Sequence, residues 1–242
     1  MFGGDVFFMD RAEKPRITGR TEIRSPYHSF FGSRYLEQIL ESSGSSIDGL
    51  QFSNLMSRSL LRDMIELAHR HGIYVSSGGW GEDVLGGGRK SFKQYVQDCK
   101  DLGFDMIEFD VLCDKIAKDD FLYLTRMIKN EGLKAKPGLF LFEEDAKTII
   151  ETAENFIGAG ADVIRLESDL DILTTDVIAK LIERVGLDRL IFQAREPKVF
   201  EWFITNYGRQ VNLFVDHSHV PQLECLRAGK GRRPRPLFAP LL

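Results

Sequence analysis

One phrase recurs along the chain: a glycine, a short apolar run, and charged or polar residues at its end. Gly160-Ala161-Asp162-Val163-Ile164-Arg165-Leu166-Glu167 is the fullest copy, and others begin at Gly72, Gly103, Gly132, Gly186 and Gly208. Each copy reads as a helix stopped by glycine and turned directly into a buried strand. Apolar residues at helical spacing come before the glycine, as with Phe92, Val96, Cys99 and Leu102 before Gly103. Further strands are expected at Arg20–Arg24 and Ile47–Phe52. Eight strand-then-helix units at a spacing of roughly 27 residues make the α/β pattern of a parallel (β/α)8 TIM barrel in a single domain. A doubly wound open sheet is the alternative. It would place a glycine-rich phosphate loop after its first strand, and Glu22-Ile23-Arg24-Ser25-Pro26 is no such loop.

The 242 residues suit one barrel of this kind. Residues 1–18 read as a leader strapped over the outside, 19–228 as the barrel, and 229–242 as a basic tail without regular structure. The fifth strand is expected at Lys134-Ala135-Lys136 with Pro137 at its end, and the helix after it to open on Glu143, Glu144 and Asp145. A net charge of -4 gives no reason to expect nucleic acid as a partner. No apolar run approaches the roughly 20 residues of a membrane helix, so no membrane association is expected either. Cys99, Cys113 and Cys225 are far apart and outside any C-x-x-C, and are expected to be reduced, mostly packed thiols. The N-terminus has neither a secretory nor a transit pattern, and a cytoplasmic location is expected.

A barrel carries its chemistry at the C-terminal ends of its strands. Residues two apart in a strand share a face, so Glu22/Arg24, Glu108/Asp110, Lys134/Lys136, Arg165/Glu167 and Gln193/Arg195 are candidate inward pairs. Charges inside a barrel must pair with one another or with a ligand to offset desolvation. In the first case they form an internal salt-bridge network. In the second, Arg24, Lys136, Arg165 or Arg195 holds an anionic substrate, and Glu108, Asp110 and Glu167 hold a hard cation such as Mg2+. Gly86-Gly87-Gly88-Arg89-Lys90 lacks the ending of a P-loop and reads as a helix entry. His69 and His71, in the last turn of a helix, read as structural, and His217 and His219 are weak ligand candidates at the rim.

Several stretches resemble the phosphosulfolactate synthase family. They are Ile47-Asp48-Gly49-Leu50-Gln51-Phe52, His71 to Gly79, Leu102 to Glu108, Ala159-Gly160-Ala161-Asp162, Leu190 to Ala194 and Val211-Asn212-Leu213, in the family's order. Lys14-Pro15-Arg16, Gly19 to Pro26, Glu201-Trp202-Phe203-Ile204 and Val215-Asp216-His217-Ser218 are similar to its plant, heat-stress-associated branch, tied to acquired thermotolerance. The resemblance implies a lyase-type, Mg2+-dependent addition of sulfite to phosphoenolpyruvate. It places Glu82, Glu108 and Glu167 at acidic family positions for the metal, and Arg24, Arg165 and Arg195 on the anions. Sulfite attack on the methylene carbon builds negative charge beside the carboxylate, and an acid must then protonate the neighbouring carbon.

The chain departs from the family at three places. Gln51 and Gln193, still candidate substrate-binding residues, stand where relatives have lysine and glutamate. Gly138-Leu139-Phe140-Leu141-Phe142 replaces a lysine-bearing loop that the resemblance makes the home of the proton donor. Two readings remain open. In one, Lys136 replaces the donor and works with Glu108 in an active synthase on a small anionic substrate. In the other, a barrel without catalysis binds a stress-related protein; a second copy of the chain is a further candidate partner.

Overall fold

The computed structural model describes residues 11–25, 32–52, 57–78, 88–111, 118–140, 146–167 and 175–229. Its strands are β1 (Thr21–Arg24), β2 (Gly49–Phe52), β3 (Tyr74–Ser77), β4 (Met106–Asp110), β5 (Lys134–Phe140), β6 (Ile164–Glu167), β7 (Leu190–Gln193) and β8 (Leu213–Asp216). They pair in parallel, each with the next, and β8 returns to β1 to close a single-domain barrel. The helices between and after them are α1 (Ser33–Ser43), α2 (Arg58–Arg70), α3 (Arg89–Leu102), α4 (Lys118–Asn130), α5 (Ala146–Gly158), α6 (Thr175–Val185), α7 (Pro197–Tyr207) and α8 (Val220–Arg227). Glu82, Cys113, the expected helix opening at Glu143–Asp145 and the tail beyond Gly229 lie outside the described residues.

Local chemistry places the element ends. The Ser57 side chain accepts from the Leu60 backbone N–H and starts α2, and Pro197 opens α7 where its missing N–H costs nothing. Gly103 follows α3 with φ 96°, the left-handed turn that sends the chain straight into β4. The aspartate in the recurring phrase has a structural use. Asp48, Asp105 and Asp162, each just ahead of an even-numbered strand, accept from the backbone N–H of Thr21, Val75 and Ala135 on the preceding strand, at 2.8, 2.7 and 2.9 Å. Asn212, just ahead of β8, accepts from the backbone N–H of Arg20, just ahead of β1, at 2.9 Å. His69 bonds Asp105 at 2.8 Å, a structural contact as expected.

Alternation sorts the strand side chains into two cores. Ile23, Leu50, Val75, Ile107, Phe109, Leu166, Phe192 and Val215 point outward into one cluster with the helix stripes, including Met64, Val96, Phe156 and Phe203. Met106, Val163, Ile191 and Phe214, with Tyr74 against them, form a small apolar plug of their own. The charged inward residues adjoin that plug: Phe214 is in register with Glu22 on β1, and Lys136 Nζ lies 5.8 Å from its ring centroid.

Three expectations need correction. β5 does not end at Lys136 but runs through Pro137 to Phe140. Its register with β6 begins only at Gly138, so the N–H that proline lacks breaks no bond in that ladder. Lys134 is exposed, because it begins β5 at the open base of the barrel, although it shares a face with Lys136. Cys225 is exposed too: Leu223 and Arg227 turn the buried side of α8 inward, and position 225 falls between them on the outer side. Cys99 is packed as expected, and burial pushes its thiol up to about 12.

Gly49 is a tight point. A methyl group there would run into the Tyr74 ring, whose hydroxyl donates to Glu22 at 3.0 Å and which therefore cannot swing away freely. Gly49→Ala is expected to lower stability by about 1–3 kcal/mol. Urea denaturation of the variant beside the parent checks this.

Candidate functional site

The inward residues of β1, β3, β4, β5 and β6 meet in a continuous ion-pair network. Lys136 is 0% exposed. Its ammonium lies against Glu22 and Ser76, the latter at 2.9 Å, and 2.6 Å from Glu108 Oε2. Tyr74 and Ser76 also donate to Glu22, at 3.0 and 3.3 Å. Arg165, 4% exposed, sits higher and reaches three carboxylates. Its Nε is 3.0 Å from Glu108 Oε1, its Nη2 2.5 Å from Asp110 Oδ1, and its Nη1 2.6 Å from Glu167 Oε2. The same Nη1 donates to Gln193 Oε1 at 2.6 Å, and the Gln193 amide donates to Glu167 Oε1 at 2.9 Å. Gln51 donates to Glu108, and Arg195 reaches Glu167 from the mouth.

The two glutamines now have a physical reason. A carboxylate at 193 would set a like charge against Glu167, and a lysine at 51 would add a third cation to Glu108. Neutral amides make the same contacts without either charge. Gly138 is as necessary: a methyl group there would strike Asp110 and come within 2.9 Å of Arg165 Nη2. Burial pushes the Glu108 carboxyl up, but Arg165 and Lys136 together pull it below the ordinary carboxylate value. Burial likewise works against the charge on Arg165, and Glu108 and Asp110 outweigh it and hold the guanidinium ionised.

Above the network is the mouth, a pocket of about 180 Å³ lined by Arg24, Gln193, Arg195, Phe214, Val215 and Asp216. It opens between the ends of β7, β8 and β1, where Arg24 is in register with Asp216. Arg24 lies over the Phe214 ring at 5.3 Å, and the Arg195 side chain is 65% exposed. Burial works against ionising Asp216, but hydrogen bonds from the Ser218 hydroxyl and backbone N–H lower its carboxyl below the usual range. Tyr35 bonds His217 Nε2 at 2.9 Å beside this rim.

The structure therefore joins Gln51, Glu108, Lys136, Arg165, Glu167, Gln193 and Arg195 in one network and sets Arg24 and Arg195 at its entrance. Glu22 was legible as an inward residue but not as the partner of Lys136. Tyr74 and Ser76 were missed. Their signal is their parity on β3, two residues apart on the inward face. The carboxylates Glu108, Asp110 and Glu167 have the oxygen chemistry that a hard cation favours. Their arrangement does not fit one, because the Arg165 guanidinium stands between all three. Among the described residues no group of three or more His, Cys, Asp or Glu is placed to hold a metal.

A closed parallel barrel with a charged interior and two arginines at its mouth defines a (β/α)8 barrel protein. The chain belongs to the (2R)-phospho-3-sulfolactate synthase (ComA) family, whose model matches residues 9–232. It is 41% identical over 253 aligned positions to Protein HEAT-STRESS-ASSOCIATED 32 of Arabidopsis thaliana, covering 90% of this chain and 88% of the relative. It is 28% identical to the phosphosulfolactate synthase of Methanocaldococcus jannaschii, covering 81% of this chain and 86% of that enzyme. The fold alone is shared with a putative deoxyribose-phosphate aldolase from Toxoplasma gondii. The TM-score there is 0.61 at 11% identity, covering 88% of this chain and 95% of that one.

Proposed function

We propose that the barrel binds a small phosphorylated carboxylic acid, of which phosphoenolpyruvate is the test case, with Arg24 and Arg195 on its anionic groups. The observation that carries this reading is the arginine-lined mouth above a network whose own charges are already paired. Its position after β7 and β8 is where barrels commonly take phosphate. A volume of about 180 Å³ corresponds to roughly six water volumes, suited to a compact anion. In the synthase-type reaction the charge built by sulfite addition falls to the mouth arginines. No step is assigned to a metal.

One observation favours a second reading, ligand binding without turnover in a heat-stress role like that of the plant relative's name. Lys136 and Glu108 are sealed beneath the mouth and tied to each other, so neither is presented to a substrate as a free acid.

Calorimetric titration with phosphoenolpyruvate, with and without Mg2+, tests the site. Binding is expected in both conditions. Arg195→Glu is expected to weaken it tenfold or more, since a like charge then faces the ligand. Unchanged affinity in that variant would remove the mouth from the reading. Adding sulfite and assaying for a sulfonate product separates the two readings: product supports the lyase, and tight binding without product supports the second.

A further inference from the structure

We propose that the opposite, N-terminal face of the barrel carries a second anion site, for a free tetrahedral oxyanion such as inorganic phosphate or sulfate. It is the cavity between the leader and the turn from α7 to β8. The cavity holds about 100 Å³, roughly three water volumes, and four arginines line it: Arg11, Arg16, Arg209 and Arg227. Arg11 and Arg16 come from the leader, Arg209 from the turn, and Arg227 from the end of α8.

Positive charge is in surplus here. Asp48 takes Arg16 at 3.0 Å and Arg11 at 3.6 Å, while Glu224 takes Arg11 at 2.7 Å and lies 3.8 Å from Arg227 Nε. Among the described residues three of the four guanidinium groups thus share two carboxylates, Arg209 is paired with neither, and Asp48 also accepts the Thr21 N–H. Arg227 is 2% exposed. Its Nη atoms donate to the carbonyls of Arg209, Arg20 and Val211, the last two at 3.2 and 3.0 Å. Among the described residues its buried Nε has no hydrogen-bond partner. A buried donor left unpaired and an uncompensated charge are both costly, and a ligand with several acceptor oxygens answers both.

The local field agrees. Burial, with Arg11 next, pushes the Arg227 guanidinium down to about 10. Burial lowers Lys14 on the leader to about 8; Asp48 opposes this, and Arg16 and Arg11 add to it. A net positive field of this kind suits a multiply charged anion, and Gly19 lines the cavity, where a methyl group would come 3.2 Å from Gln210 Oε1 and 3.4 Å from Arg227 Nη1.

The test is calorimetric titration of the full chain with inorganic phosphate, against sodium chloride of matched ionic strength. Arg195→Ala serves as background to weaken the mouth. One phosphate per chain is expected to bind still, and Arg209→Glu in the same background is expected to weaken it more than tenfold. Arg227→Gln is the direct variant, but Arg227 also ties three carbonyls. Arg209, at an exposed position, carries the test if that variant does not fold. Equal heats from chloride, or phosphate binding that Arg209→Glu leaves unchanged, would overturn the site. para-Nitrophenyl phosphate is expected to compete poorly in so small a space, and equal competition would overturn the assignment to a free ion.

Discussion

Replacing Arg165 by methionine is expected to destabilise the fold by about 3–5 kcal/mol, the range for removing one partner of a buried ion pair. Methionine fills much of the same volume, so the loss is chiefly electrostatic. Glu108, Asp110 and Glu167 would be left facing one another around the space that the guanidinium occupied. The pH dependence separates charge from packing. In the parent, the Glu108 carboxyl lies below its ordinary value of 4.5. Its contribution to stability is therefore present above that value and lost as pH falls through the lowered one. In Arg165→Met only Lys136 still opposes burial at Glu108, and the neighbouring carboxylates repel its charge, so its carboxyl rises and the variant is relieved as pH falls. The stability gap between parent and variant should narrow from pH 7.5 to pH 5, measured by urea denaturation at each pH. A gap of constant size would assign the loss to packing and reject the electrostatic account.

Lys136→Met is expected to cost a similar amount, about 3–5 kcal/mol, because Glu22 loses its cation, and Glu108 one of its two, in a place that water does not reach. For a chain of this length that is a fall in melting temperature of roughly 10 °C. Here the informative measurement is rescue. Glu22→Gln in the Lys136→Met background removes the stranded charge while keeping an acceptor for Tyr74 and Ser76. The double variant should therefore be more stable than Lys136→Met alone. If the two changes simply add, the pair does not act as a unit. The same variant bears on function: a mouth that binds phosphoenolpyruvate through Arg24 and Arg195 should keep that affinity while the folded fraction persists.

Much of the architecture was legible in the residues. Glycine after an amphipathic helix and before an apolar run is a local signal, and six copies of it leave few folds available. Alternation correctly paired Glu108 with Asp110 and Arg165 with Glu167 on the inner face. It misplaced Lys134, because alternation reports which side of a strand a residue faces and not its height along the barrel axis. The strand through Pro137 was shortened for a related reason: whether a missing N–H matters depends on which neighbour it would have met. Cys225 was misread because helix α8 is short and its buried side is set by only a few contacts.

The sequence by itself determined the repeating unit, its preference for a closed barrel over an open sheet, and most of the charges that lie inside it. All of these follow from local turn chemistry and from periods of 3.6 and 2 residues. Only the tertiary structure decided which charges meet. Lys136 finds Glu22 across 114 residues of chain, and Arg165 enters between carboxylates of two strands so as to occupy the place a metal would need. The register of each strand on its neighbour and the stagger of the closed barrel fix those meetings. Spacing along the chain carries no record of either.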